Sequence, residues 1–144
     1  MLYLNMKERK MLVCRMQTPD GTILTSLHTH HYVTHDDANG KRYMLDGGNS
    51  YRRMSDYPEA PMKDVSIYSD STFKEIRKYV CRGGRGKNGD EPLKWVPISE
   101  MSNSWLINCI SYNWKRGIKW KSTANRLYVK ELIYRTLHGK FIKD

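Results

Sequence analysis

The densest chemistry in the sequence lies in its last third. Tyr112, Trp114 and Trp120 are interleaved there with Lys115, Arg116, Lys119 and Lys121, and Arg126 follows. Cations hold phosphates, flat rings stack on bases, and a guanidinium can do both. The pattern points to an anionic ligand of nucleic-acid type. The same residues have a plainer reading, in which Trp114 and Trp120 pack between two C-terminal helices while the lysines face water. The sequence leaves both open.

Three other groups invite a chemical reading. Arg82, Gly83, Gly84, Arg85, Gly86, Lys87 and Gly89 crowd one stretch, where consecutive glycines could turn backbone N–H groups toward one anion. It is not a nucleotide-hydrolysing phosphate loop, because Cys81 stands where the first glycine would be and Asn88 where a hydroxyl is needed. The plainer reading is a surface loop. His28, His30, His31 and His35, followed by Asp36 and Asp37, suggest a metal site. On a continuous strand, however, His28 and His30 would share one face and His31 and His35 the other. A metal-dependent nuclease or phosphodiesterase is therefore only a minor alternative, and exposed hairpin histidines are the better reading. Asp46, Gly47 and Gly48 with Tyr51, Arg52 and Arg53 either approach a phosphate or hold a turn through an Asp46–arginine pair, and the structural role is favoured. No Ser/His/Asp or Cys/His arrangement stands out. Cys81 beside Arg82 follows a helix end and is not read as a nucleophile. No catalytic residue, metal or cofactor is expected.

Charge singles out the same half of the chain. The 144 residues carry 25 Lys+Arg and 15 Asp+Glu, a net charge of +10. Residues 1–72 hold nine of each sign, so the whole excess falls in residues 73–144. Between Glu100 and Glu131 no acidic side chain occurs. Unopposed like charge repels itself in a compact fold, and a polyanion is the usual partner that relieves it. No apolar run approaches the ~20 residues of a membrane span. The charged N-terminus does not read as a signal peptide, and three scattered cysteines suit a reducing compartment. A soluble, non-exported chain is expected.

The elements that must position these residues read as strands first and helices later. Pro19-Asp20-Gly21 and Asn39-Gly40 are turn signals, each between short β-rich runs, which predicts two antiparallel hairpins. Residues 50–53 form a further short strand or a turn, 54–63 a loop, and 64–68 an edge strand. Thr72 and Glu75 fit a capping box for a short helix that Gly83 and Gly84 end. Residues 82–92 read as a loop and 94–98 as extended. Ser102 caps a helix with Trp105, Leu106, Cys109, Ile110 and Trp114 on one face and Gly117 at its end. Ser122 or Thr123 caps the last helix, with Val129, Leu132, Ile133 and Leu137 inward and Gly139 after it. The order predicts one α+β domain, with a β-hairpin unit over 10–53 and a basic α-rich unit over 64–144.

Several stretches resemble a family of small accessory proteins of tailed bacteriophages. They are residues 16–22, 31–40, Asp46-Gly47-Gly48 with Tyr51-Arg52-Arg53, 95–106, and Lys130-Glu131-Leu132-Ile133-Tyr134-Arg135, so the likeness runs over about 11–136. The first hairpins also resemble a short phage zinc-ribbon-like domain, of whose cysteine ligands only Cys14 has a counterpart here. Pro19-Asp20-Gly21 and Ala38-Asn39-Gly40 occupy the two knuckles, which implies that hairpin turns replace the zinc. The resemblance implies a setting, the cytoplasm of an infected bacterium, and no enzymatic activity. Within that setting the expected partner is nucleic acid or a small nucleotide. Phosphate contacts would come from Arg52, Arg53, Arg82, Arg85, Lys87, Lys115, Arg116, Lys119, Lys121 and Arg126, with Tyr112, Trp114 and Trp120 stacking. The alternatives are a sponge for a cyclic nucleotide immune signal, built around arginines and aromatics and possible at a homo-oligomer interface, and a binder of an acidic host protein.

Overall fold

The computed structural model describes residues 9–144, so the reading of residues 1–8 lies outside it. Both hairpin turns form as the sequence predicts. At the first, Gly21 takes φ +90°, the Thr22 N–H donates to Asp20 Oδ1 at 3.1 Å, and the Thr18 N–H donates to the Thr22 carbonyl at 2.8 Å. It joins β1 (Met11–Gln17) to β2 (Ile23–Ser26), with Cys14 opposite Ser26. At the second, Asp37 Oδ1 accepts from the N–H groups of Asn39 and Lys41 at 2.9 and 2.8 Å, and Gly40 takes φ +77°. A left-handed residue at that place suits glycine, which has no Cβ to clash. This turn joins β3 (Val33–Asp36) to β4 (Arg42–Asp46).

Three two-residue strands complete the sheets. β5 (Arg53–Met54) pairs with β4, and both β6 (Lys63–Asp64) and β7 (Ile67–Tyr68) pair with β1. One sheet therefore runs β2-β1-β6 with β7 also on β1, and the other runs β3-β4-β5. Cys14, Met16, Leu24, Tyr43 and Leu45 are buried together, with Met11, Val33, Tyr57 and Met62 packed on them. Arg52 ties the two sheets. From just before β5 its guanidinium donates to Asp64 Oδ1 at 3.2 Å and Ser66 Oγ at 2.8 Å, and it lies against Cys14 Sγ. The chain divides into two compact units, Met1–Ile76 and Arg77–Asp144. Residues 64–68, grouped by the sequence with the basic part, thus belong to the first unit through β1.

α1 (Phe73–Tyr79) begins at the Thr72 cap, whose Oγ1 accepts from the Glu75 N–H at 3.3 Å. It ends before the glycines, not at them. Residues 81–84, read from sequence as the start of a loop, form β8 (Cys81–Gly84), paired antiparallel with β9 (Lys94–Pro97). Indoles crowd the strand, most tightly at Gly84. A Cβ on Gly84 would lie 2.8 Å from the Trp105 ring, and one on Gly83 would lie 3.2 Å from that of Trp95. A 3-10 turn (Ile98–Glu100) leads to α2 (Asn103–Lys115), capped by Ser102, and then α3 (Thr123–Leu137), capped by Ser122. Gly117 and Gly139 take φ +73° and +61° after the two helices.

The inward face of α3 differs from the expected one. Ile133 and Leu137 are exposed, at 54% and 77%. The buried positions are Asn125, Leu127, Tyr128, Glu131 and Arg135. Glu131 is fully buried and accepts from two arginines, Arg77 of α1 at 2.7 and 2.8 Å and Arg135 one turn along at 2.9 Å. Arg135 also donates to Asn103 Oδ1 at 2.8 Å and to the Ile98 carbonyl at 3.0 Å. The network thus joins α1, the 3-10 turn, the start of α2 and α3 through charged hydrogen bonds that satisfy the buried carboxylate, with one acid facing two guanidinium groups. Removing one partner of such a group costs about 3–5 kcal/mol, because the remaining charge stays buried. In chemical denaturation, Glu131→Ala is expected to lower the stability of the second unit by about that amount, whereas Lys78→Ala on the exposed side of α1 changes it by less than about 0.5 kcal/mol.

Candidate polyanion-binding surface

The link between α2 and α3 gathers most of the predicted site. α2 stops at Gly117, whose N–H donates to the Trp114 carbonyl at 3.0 Å. A 3-10 turn (Lys119–Lys121) follows, and Lys119 takes φ +47°, a conformation unfavourable for a residue with a Cβ. Asn125 holds it there. Fully buried at the start of α3, Asn125 donates through Nδ2 to the Lys119 carbonyl at 2.9 Å and accepts at Oδ1 from Asn113 at 3.4 Å.

On this link Trp114 and Trp120 meet edge to face, ring centroids 5.4 Å apart, and stay 43% and 51% exposed. Lys119 Nζ lies 5.7 Å from the Trp114 ring. Tyr112, 57% exposed, accepts a hydrogen bond at its hydroxyl from Arg116 Nη1 at 2.6 Å. Arg126 donates to the Trp120 carbonyl and to Thr123 Oγ1, and so braces the turn beneath the indole. Lys115 and Lys121 are exposed. Neither indole is enclosed between the helices, although Trp114 borders an apolar groove of about 510 Å³ lined by Ile107, Ile110, Val129 and Leu132.

The remaining predicted residues lie elsewhere. Arg82 is half-buried on β8 and donates to the Tyr128 hydroxyl at 3.1 Å. It borders a cavity of about 640 Å³ with Arg85, Lys87 and Lys94. The glycine nest expected over 82–89 does not form as one loop, since Gly83 and Gly84 belong to the β8–β9 ladder. Arg52 and Arg53 sit in the first unit and face carboxylates, Asp64 at 3.2 Å and Asp46 at 3.1 Å. That agrees with the favoured turn-holding role. Arg52 is engaged on every side by acceptors, which holds it away from an outside phosphate.

The histidines do not occupy one continuous strand, because β3 starts only at Val33. A turn at 28–31, with His30 at φ +66°, stacks His28 on His31 at 4.6 Å. His30 turns to the Tyr51 hydroxyl at 3.0 Å and His35 to Asp20 at 2.7 Å. Among the described residues, no three His, Cys, Asp or Glu side chains are grouped to hold a metal ion. The thiols of Cys81 and Cys109 are both pushed up by burial, and Glu100 adds to the shift at Cys81.

Electrostatically the units are opposites. The first pairs its charges internally, as in Arg42–Asp36, Lys41–Glu59 and Arg9–Asp70. The second, Arg77–Asp144, carries 15 basic and five acidic residues, and its two ion pairs among the described residues both end on Glu131. Sequence reading missed Asn125, Glu131, Lys94 and Trp105. Glu131 and Asn125 look like surface residues on a helix, and only their partners from distant segments reveal them. No helix among the described residues is long and apolar enough to cross a membrane. Comparison with protein-family models, with curated proteins and with solved structures finds no match.

His31 makes the histidine turn pH-sensitive. Its Nδ1 accepts from the Leu27 N–H at 2.9 Å, which requires the neutral ring, and burial followed by nearby His28 pulls its pKa below the ordinary value. A base with a depressed folded pKa favours folding when neutral, so this contribution is present above about pH 6.5 and is lost as pH falls through and below that value. Thermal melts of the first unit's signal are expected to shift downward between about pH 7 and 5, and His31→Asn, which keeps an acceptor but cannot be protonated, is expected to flatten that dependence.

Proposed function

We propose that the second unit binds single-stranded nucleic acid on the link between α2 and α3, with Trp114 and Trp120 as the stacking surface. The observation that supports this is the exposed edge-to-face indole pair, held by Asn125 and Arg126 beside Lys115, Arg116, Lys119 and Lys121. Exposed aromatic rings beside cations that face no carboxylate suit a flexible strand, whose bases offer faces and whose phosphates offer charge. The reading carries no catalysis. The resemblance of its motifs to phage accessory proteins supports reading it as one that acts on nucleic acid in the cytoplasm of an infected bacterium.

A second reading rests on the groove beside Trp114. Ile107, Ile110, Val129 and Leu132 form its apolar walls and Lys115 stands at its margin, which suits an apolar helix flanked by acids on a host protein.

Fluorescence titration with an unstructured oligonucleotide separates the two, because both tryptophans report directly. Indole quenching is expected, with affinity falling about fiftyfold over a fourfold rise in salt if four phosphates are neutralised on a single strand. Trp120→Ala should weaken binding by roughly 1–3 kcal/mol, and Lys115→Ala with Lys119→Ala should lower the salt slope. Quenching that ignores salt, or no binding at low salt, overturns the proposal. Retention of one stoichiometric protein from nuclease-treated lysate, lost on Ile107→Asp, would favour the groove.

A further inference from the structure

The cavity at β8 holds cations that the proposed strand-binding surface does not use. Arg82 and Arg85 approach it from β8 and the residues after it, Lys87 from the loop, and Lys94 from β9. Trp105 closes one side, lying so near β8 that only glycine fits at position 84. The volume, about 640 Å³, falls within the size of small-molecule sites.

This cavity already contains an anion from the chain itself. Residues 140–144 fold back on the start of α2, where the Asn103 N–H donates to the Ile142 carbonyl at 2.8 Å and the Ile142 N–H donates to Asn103 Oδ1 at 3.0 Å. That brings Asp144 to the cavity. The hydroxyls of Ser102 and Ser104 both donate to its Oδ1, each at 2.5 Å. These donors, with nearby Lys87, hold the carboxyl below the usual carboxylate range, so it stays charged near neutral pH. Glu91 is the other acid at the cavity, beside Gly86. Asp144 is exposed to solvent, so another anion can reach the donors it occupies.

We infer that this cavity is a second binding site, for a phosphomonoester such as a nucleoside monophosphate, and that Asp144 is a tethered competitor for its phosphate subsite. A phosphomonoester dianion brings three terminal oxygens and more charge than a carboxylate. It can accept from Ser102 and Ser104 and meet Lys87 and Arg85, while Trp105 offers a flat wall to the base. A tethered group occupies its site at high effective concentration, so outside ligands bind the self-occupied form weakly. The phosphate could belong to a free nucleotide or to the 5′ end of a strand.

Calorimetric titration of the full chain with adenosine 5′-monophosphate, adenosine and inorganic phosphate tests this. Asp144→Asn removes the charge that lets the side chain compete as an anion for Ser102, Ser104 and Lys87. It is expected to bind the monophosphate about tenfold more tightly than the parent protein, as for a site self-occupied about nine-tenths of the time. Lys87→Ala, on an exposed loop and harmless to folding, should weaken binding at least threefold, and adenosine should not bind. A 5′-phosphorylated oligonucleotide that displaces the monophosphate from Trp120→Ala protein, where its 5′-hydroxyl counterpart does not, identifies a strand end. Failure to displace identifies the free nucleotide, and both outcomes support the site. Trp120→Ala leaves monophosphate binding unchanged, so failure of the strand-binding proposal does not touch this one. The inference is overturned if Asp144→Asn binds no more tightly than the parent, if adenosine binds as well as its monophosphate, or if Lys87→Ala has no effect.

Discussion

Glu131 is the point on which the second unit depends. A carboxylate with no solvent contact is tolerable only when its lone pairs are filled by matched donors, and here two guanidinium groups fill them. Arg77 brings the end of α1, and Arg135 carries the contact on to Asn103 and the Ile98 carbonyl. The same Asn103 receives the Ile142 backbone, so the position of residues 140–144 is set through the network as well. A unit with fifteen basic side chains has therefore used its one deeply buried acid as an organising centre.

That choice explains where the sequence could be read and where it could not. Turn chemistry is local. Pro19-Asp20-Gly21 and Asn39-Gly40 carry their own geometry, and the capping residues Thr72, Ser102 and Ser122 act within one helical turn, so these features were legible. The face of α3 was not. Tyr128, Glu131 and Arg135 keep helical spacing, but two of them are charged, and an apolar pattern pointed instead to Ile133 and Leu137. A charged residue becomes interior only through partners in distant segments, and a window of sequence contains none of them. β8 was missed for a related reason. Paired glycines resemble a loop until Trp95 and Trp105 are seen lying against them.

The candidate site was legible in its residues more than in its form. The cluster from Tyr112 to Arg126 did assemble on one link, yet the arginines nominated around Asp46 are engaged by carboxylates in the first unit. Composition separated the charged half from the neutral half but could not divide cations that brace the fold, such as Arg77 and Arg135, from cations left for a ligand. Burial makes that division. Arg77 and Arg135 turn in to Glu131 and Arg82 to the Tyr128 hydroxyl, while Lys115, Arg116, Lys119 and Lys121 remain at the surface.

The left-handed backbone of Lys119 has a consequence of its own. Asn125 imposes that conformation from inside the helix pair, so the loss of freedom in the link is incurred when the chain folds and not when something docks. The two indoles are thus presented as a rigid corner whose shape precedes any visitor. Substitutions along the exposed rim would alter the charge around the corner, while its outline is held from inside by one hidden amide.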